Sequence, residues 1–120
     1  MMVAILLSPE QLALPEVTYP LKVFACTNCW LVQLPAHASA DELFRADYAY
    51  FSSTSSSWCA HAERFVEEAV ERLGLGPQSL VVEVASNDGY LLQYVQKRGI
   101  RCLGIEPTRA TAEAARGKGI

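Results

Sequence analysis

The chain has no run of lysines and arginines, no G-x-G-x-x-G motif and no apolar stretch as long as a membrane span. Each absence excludes a class of function. Ten basic residues stand against 13 acidic ones, for a net charge of -3. Without a basic stripe such a surface exerts no general pull on nucleic acid or an anionic membrane. The opening MMVAILL is far shorter than the ~20 residues that cross a bilayer. It lacks the basic flank and small-residue cleavage site of a signal peptide, so Val3 to Leu7 reads as a buried strand. Cysteine is sparse, at positions 26, 29, 59 and 102, and only the first two are close together. With no export signal, a reducing cytoplasmic setting is expected, and no disulfide framework is read.

A hydrophobic share of 51% with 19% charged residues is the balance of a folded chain, not of a disordered tail. Its 120 residues suffice for one domain, or one and a half small ones. Residues 1–38 look β-rich. Leu21 to Ala25 and Trp30 to Leu34 flank CTNC as the strands of a hairpin with the cysteines in its turn, and Trp30 reads as core. Residues 39–57 form a connector. It opens with a helical turn over Asp41 to Arg45 that Ser39 can cap, and it closes in the loop DYAYFSSTSSS. Tyr48, Tyr50, Phe51 and Trp58 interrupt that serine-rich loop, and aromatics of that size are normally buried or bound to something.

From residue 58 onward the pattern becomes alternating. Residues 58–73 read as a helix capped by Ser57 and ended by Gly74. Its apolar face is Ala62, Phe65, Val66, Ala69, Val70 and Leu73. Leu80 to Ala85 suits a parallel strand buried on both faces. The SNDG turn follows, then a helix over Tyr90 to Lys97, a strand over Ile100 to Ile105, and a helix over Thr108 to Arg116 that Thr108 can cap. Helix, strand, helix, strand, helix is the opening of a doubly wound α/β sheet with a crossover between parallel strands. Two parallel strands do not make a stable open sheet alone, so the chain is expected to be a fragment.

A nucleoside cofactor on such a sheet needs a tight first turn and an acidic residue ending the second strand, about 20 residues further on. Here the turn is Ala85, Ser86, Asn87, Asp88 and Gly89, and the acidic residue is Glu106. Ala85 and Ser86 are small, and Gly89 allows close approach. Glu83, inside the first strand, is costly to bury without a partner, and a cationic ligand group would supply one. A dinucleotide would want phosphate-binding glycines, which this turn lacks, and Asp88 disfavours a phosphate. S-adenosylmethionine (SAM) carries no phosphate and has an ammonium for Glu83. The same spacing also occurs as plain α/β architecture, in which Asp88 only caps the next helix.

Four segments, YPLKVFACTNCWLVQL, DYAYFSSTSSSWCAHAERF, SLVVEVASNDGYLLQYV and GIRCLGIEPT, together resemble the SAM-dependent sugar C-methyltransferases. These enzymes methylate the third carbon of a nucleotide-linked 4-keto-6-deoxy sugar, and the resemblance runs from about Tyr19 to Ile120. It implies a zinc-ribbon-like subdomain in 1–38, followed in 58–120 by the start of a Rossmann-like class I methyltransferase sheet, truncated. It implies SAM contacts at Glu83, Ala85, Ser86, Asn87, Asp88, Gly89 and Glu106. Tyr48, Tyr50 and the serine loop are then expected beside the SAM and sugar pocket. The implied partner is a nucleotide-sugar, with no nucleic acid and no membrane.

Two departures matter. The family's zinc site uses two CxxC pairs, and this chain shows only Cys26-Thr27-Asn28-Cys29. Structural zinc takes four ligands, so zinc is expected of a full-length parent, while here two reduced thiols in a turn are favoured. His37 is the nearest further donor, and Cys59 and Cys102 are not recruited. A redox CxxC is disfavoured because its flanks read as strand rather than helix. The chain also stops before the segment in which the family's base is expected. Tyr48, Tyr50 and His61 are the catalytic candidates in view, each with aromatic packing or a surface position as the plainer reading. The reading from another class is a non-catalytic zinc-ribbon or Rossmann-like binding module, or a degenerate remnant.

Overall fold

The computed structural model describes residues 8–15, 18–44 and 50–120, so the expected strand over Val3 to Leu7 and Tyr48 lie outside the described residues. The architecture is mixed α/β with two small sheets. The chain divides into two compact units, one within Leu6–Arg45 and one within Ala46–Ile120.

In the first unit, strand β1 (Phe24–Ala25) pairs antiparallel with β2 (Val32–Gln33), with Phe24 opposite Gln33 and Ala25 opposite Val32. The paired strands are shorter than expected, but the cysteines do occupy their turn. Trp30 N–H donates to the Cys26 carbonyl and Cys26 N–H to the Leu31 carbonyl, both at 2.9 Å. Trp30 is not core: it is 76% exposed and its backbone is left-handed, φ +63°. A bulky residue rarely adopts that conformation, and here it turns the indole out of a unit that has little interior to bury it. Helix α1 (Ala40–Leu43) begins at Ser39 in a full capping box. The serine hydroxyl accepts from Glu42 N–H, and the Glu42 carboxylate accepts from Ser39 N–H.

The second unit begins its helix α2 (Ser56–Leu73) two residues earlier than expected, because Ser55, not Ser57, is the cap. Gly74 closes it in the left-handed conformation, φ +61°. The predicted apolar face splits. Ala62 and Val66 are buried, whereas Phe65 and Leu73 are exposed. Strand β3 (Leu80–Val84) runs parallel to β4 (Arg101–Ile105), from Leu80 opposite Arg101 to Val84 opposite Ile105. Between them lies helix α3 (Leu92–Lys97), and after them α4 (Arg109–Gly117). Thr108 is the residue before α4, but its side chain makes no capping bond.

The core is built from Val66, Leu92, Val95 and Ile100, with Val70, Leu75, Val81, Tyr94, Cys102 and Ile120 packed around them. The helices thus cover one face of the strand pair. Leu80, Val82 and Val84 of β3, with Leu103 and Ile105 of β4, are exposed on the other. The expectation of a strand buried on both faces is therefore corrected. Continuous apolar sequence matches two-sided burial, yet alternate residues find cover only where a helix lies over them. Among the described residues no helix is long and apolar enough to cross a membrane.

Candidate functional site

The turn after β3 is held in an uncommon backbone shape. Ala85 (φ +61°), Asn87 (φ +52°) and Gly89 (φ +75°) are all left-handed, and two of them are not glycine. Non-glycine residues held there cost of the order of 1 kcal/mol each and persist only where surrounding bonds over-determine them. Those bonds are present. Ala85 and Ser86 N–H both donate to the Ile105 carbonyl, at 2.8 and 3.2 Å. Asn87 N–H donates to Glu106 Oε2 at 2.8 Å, and Thr108 N–H to Glu106 Oε1 at 2.8 Å. Glu106 therefore stands just past β4 and braces the turn after β3 through one carboxylate. Each of its oxygens keeps a second lone pair that these bonds leave open.

The serine loop is tied to the same turn from outside. Ser52 N–H donates to Asn87 Oδ1 at 2.9 Å, and Asn87 Nδ2 donates to the Tyr50 carbonyl at 3.0 Å. Ser53 N–H reaches the Asp88 carboxylate at 3.2 and 3.3 Å, and Ser53 Oγ donates to it as well. Lys118 lies on the other side, with Nζ 2.6 Å from the Asp88 carbonyl and 3.4 Å from its carboxylate. Asp88 is buried, so its carboxylate is committed to the protein's own groups. The room a side chain would need at Gly89 is filled as well. A Cβ there would lie 2.5 Å from Ile120 Cδ1 and 3.4 Å from Ala115 Cβ, so close approach at Gly89 is by Ala115 of α4 and by Ile120 beyond its end.

Glu83 lies on the helix-covered face of β3, in step with Val81. Its Oε2 is buried and meets no hydrogen-bond donor. Burial alone pushes its carboxyl up to about 7, from an ordinary 4.5. Tyr90 is held above the ordinary phenol range, first by burial and next by the charge of Glu83. The Trp58 ring stacks on Tyr90, with centroids 6.0 Å apart, and on His61 at 5.2 Å. Tyr50 is exposed, and its backbone carbonyl serves the turn.

Sequence reasoning named the serine loop without singling out Ser53, and it missed Lys118 and Gly104. The last had a readable signal, since an isolated glycine inside a strand marks close approach. A Cβ at Gly104 would fall 2.5 Å from Ser86 Oγ and 3.1 Å from Ser86 Cβ, so this glycine lets buried Ser86 fit beneath the turn. Ser53 and Lys118 carry no local signal, because their partners lie 35 and 30 residues away in sequence.

All four cysteines of the chain are free thiols, Cys26 and Cys29 of the first unit among them. The Cys26 thiol is held below its ordinary range by the backbone N–H of Cys29, then that of Asn28, then the Cys29 side chain. Backbone donors aimed at sulfur favour the thiolate that a metal requires. The pair supplies two of the four ligands of a structural zinc. Among the described residues no group of three or more metal-binding side chains gathers. His37 stacks on Tyr19, with ring centroids 6.4 Å apart.

Residues 2–44 match a family described as "Putative zinc binding domain". Over 115 residues, 96% of its length, the chain is 37% identical to the C-methyltransferase NovU of Streptomyces niveus. It spans about a quarter, 27%, of that relative's length. That match takes in the hairpin, the serine loop, the SNDG turn and Glu106 together, so over nearly its whole length the chain is similar to a C-methyltransferase.

Proposed function

We propose that residues 58–120 form the first half of a SAM site in a C-methyltransferase that acts on a nucleotide-linked keto-deoxysugar. The observation that carries this reading is the bridge from Glu106 to the turn after β3. It sets a carboxylate with open lone pairs beside a left-handed turn at the ends of two parallel strands, where open α/β sheets bind ligands. Glu106 would accept the two ribose hydroxyls, the turn would lie along the cofactor, and Glu83 would face its ammonium. When bound, SAM supplies an electrophilic methyl group. The protein's own tasks are to hold that cofactor, orient it and keep water from it. We assign removal of the proton beside the sugar ketone to the part of the relative's length that this chain does not span. Appreciable turnover is therefore not expected of these residues alone, and a cytoplasmic setting suits the substrate.

A second reading has an observation in its favour. Both oxygens of Glu106 already accept backbone N–H groups, as they would in a purely architectural brace. Isothermal titration of SAM into the chain, and into a longer protein that contains it, separates the two. Glu106→Ala is expected to weaken SAM by about 150-fold or more, the worth of two hydrogen bonds to a charged acceptor at about 1.5 kcal/mol or more each. Binding of NAD with indifference to SAM would sink the proposal. Loss of stability without any SAM binding would leave Glu106 an architectural residue of a binding module.

For the first unit we propose that Cys26 and Cys29 are half of a four-ligand zinc site, completed in the full-length protein. Zinc there would cross-link the hairpin and carry no chemistry. Cobalt(II) added to the chain should give thiolate-to-metal absorption for two sulfurs per metal, abolished by Cys26→Ser. Absorption corresponding to four sulfurs from one chain would require Cys59 and Cys102 and would contradict the assignment.

A further inference from the structure

Asn87 makes two separate sets of bonds. Its backbone N–H donates to Glu106 Oε2 at 2.8 Å, at the carboxylate proposed to hold the ribose. Its side-chain amide clasps the serine loop, accepting from Ser52 N–H at 2.9 Å and donating to the Tyr50 carbonyl at 3.0 Å. The next residue adds a second tie, since the Asp88 carboxylate accepts from Ser53 N–H at 3.2 Å. The clasped segment contains a single tight turn, Ser52–Thr54, and runs directly into the cap and first turn of α2. Asn87 holds it from a left-handed backbone, φ +52°, which a non-glycine residue keeps only while the bonds around it over-determine it. The bond to Glu106 is one of these. A single residue therefore links the carboxylate just past β4 to the loop before α2.

We propose that Asn87 couples the cofactor site to the serine loop, so that SAM on Glu106 and the closed loop stabilise one another. This rests on the SAM reading above and adds to it a regulation of the same site. Each Glu106 oxygen has a lone pair left for a ribose hydroxyl. Hydroxyls that donate to this carboxylate pin it where it accepts from Asn87 N–H. The turn then keeps its left-handed shape, and the Asn87 amide stays within reach of Ser52 and Tyr50. By linkage, a loop that SAM holds shut holds SAM in return by the same factor. Asn87 is thus a positioning residue, which touches no reacting atom and acts through the loop. The ribose, not the methyl group, operates the coupling, so the demethylated product should close the loop as well as SAM does.

Amide hydrogen exchange over residues 51–55 reads the opening of the loop directly. It is measured with and without saturating SAM, in the chain and in the longer protein that contains it. In wild type, SAM is expected to slow exchange there by about 5- to 10-fold, the lower end of couplings between sites. S-adenosylhomocysteine has the same ribose and should slow it equally. Asn87→Gly keeps the left-handed backbone and its N–H but removes the clasp. It should still bind SAM, within about 10-fold of wild type, and show no SAM-dependent change over 51–55. Asn87→Asp keeps an acceptor for Ser52 but loses the donor to the Tyr50 carbonyl, and should lose about half of the response or more. A full response to SAM in either variant overturns the role of Asn87. Unchanged exchange in a wild type that binds SAM overturns the coupling and leaves the cofactor reading standing. A response to SAM but not to its product would break the route through the ribose. If neither protein binds SAM, the cofactor reading falls and takes the coupling with it.

Discussion

Replacing Asp88 by alanine is expected to lower the unfolding free energy by about 2–4 kcal/mol, a large share of what holds a small domain together. The carboxylate is buried and accepts from Ser53 N–H and Ser53 Oγ, while Lys118 Nζ lies 3.4 Å away. Alanine leaves the serine N–H without its acceptor and the ammonium without its counter-charge. Stranding a buried partner costs more than the net worth of the bond it made. Asp88→Asn keeps an acceptor of the same shape and should cost roughly half as much. Lys118→Met should cost about 1 kcal/mol, because the lysine side chain is 31% exposed and water screens the pair. Urea unfolding with an unchanged slope measures all three. The result also decides what Asp88 is for. If Asp88→Ala unfolds like wild type and only SAM binding suffers, its carboxylate serves the cofactor and the lock between the serine loop and the turn is incidental.

Glu83→Gln should remove a pH dependence from the stability curve. Burial lifts the Glu83 carboxyl to about 7 in the folded chain, against 4.5 when it is exposed. Between those values the folded state binds more protons than the unfolded state, so stability falls as pH rises. The favourable contribution is complete below pH 4.5 and gone above pH 7. Its full size would be near 3 kcal/mol, but the carboxylate is partly open to water, and about 1–2 kcal/mol is the expected change. Glu83→Gln should match wild type at the acid end and exceed it by that amount at pH 8. Parallel denaturation curves for the two proteins from pH 4.5 to 8 would show that burial does not hold the proton. The same proton bears on the proposed cofactor. A ligand ammonium beside Glu83 would favour the carboxylate, so SAM should bind more tightly as pH rises through 7 and release protons below it. Glu83→Gln should bind SAM more weakly and without that trend.

Much of the second unit was legible from local pattern. The spacing of Ala62, Val66, Val70 and Leu73 announced α2, and the runs at 80–85 and 100–105 announced β3 and β4. Glycines marked helix ends because only a left-handed residue closes those turns cheaply. The capping box at Ser39 and Glu42 was half visible, since Ser39 was read as a cap. Each of these signals is carried by residues within one or two turns of each other, so composition and period suffice to read them. Reading failed where it passed from period to burial. Phe65 and Leu73 fit the helix period and are exposed. Trp30 looked like core and is exposed, and β3 looked buried on both faces and is covered on one. Periodicity says which residues share a face, but not whether anything lies over that face.

The candidate site divides in the same way. The turn from Ala85 to Gly89, the carboxylate at Glu106 and the costly position of Glu83 followed from the sequence alone, because strand order and spacing bring the ends of adjacent parallel strands together. Only the tertiary structure decided how those residues are used. It gave the Asp88 carboxylate to Ser53 and Lys118, filled the space at Gly89 with Ala115 and Ile120, and made Gly104 the gap that admits Ser86. It also stacked Trp58 on Tyr90. These pairings join residues about 15 to 35 positions apart, and no local propensity encodes which distant donor will reach a given carboxylate. That choice is made when the chain packs, by which groups remain unsatisfied once water is excluded.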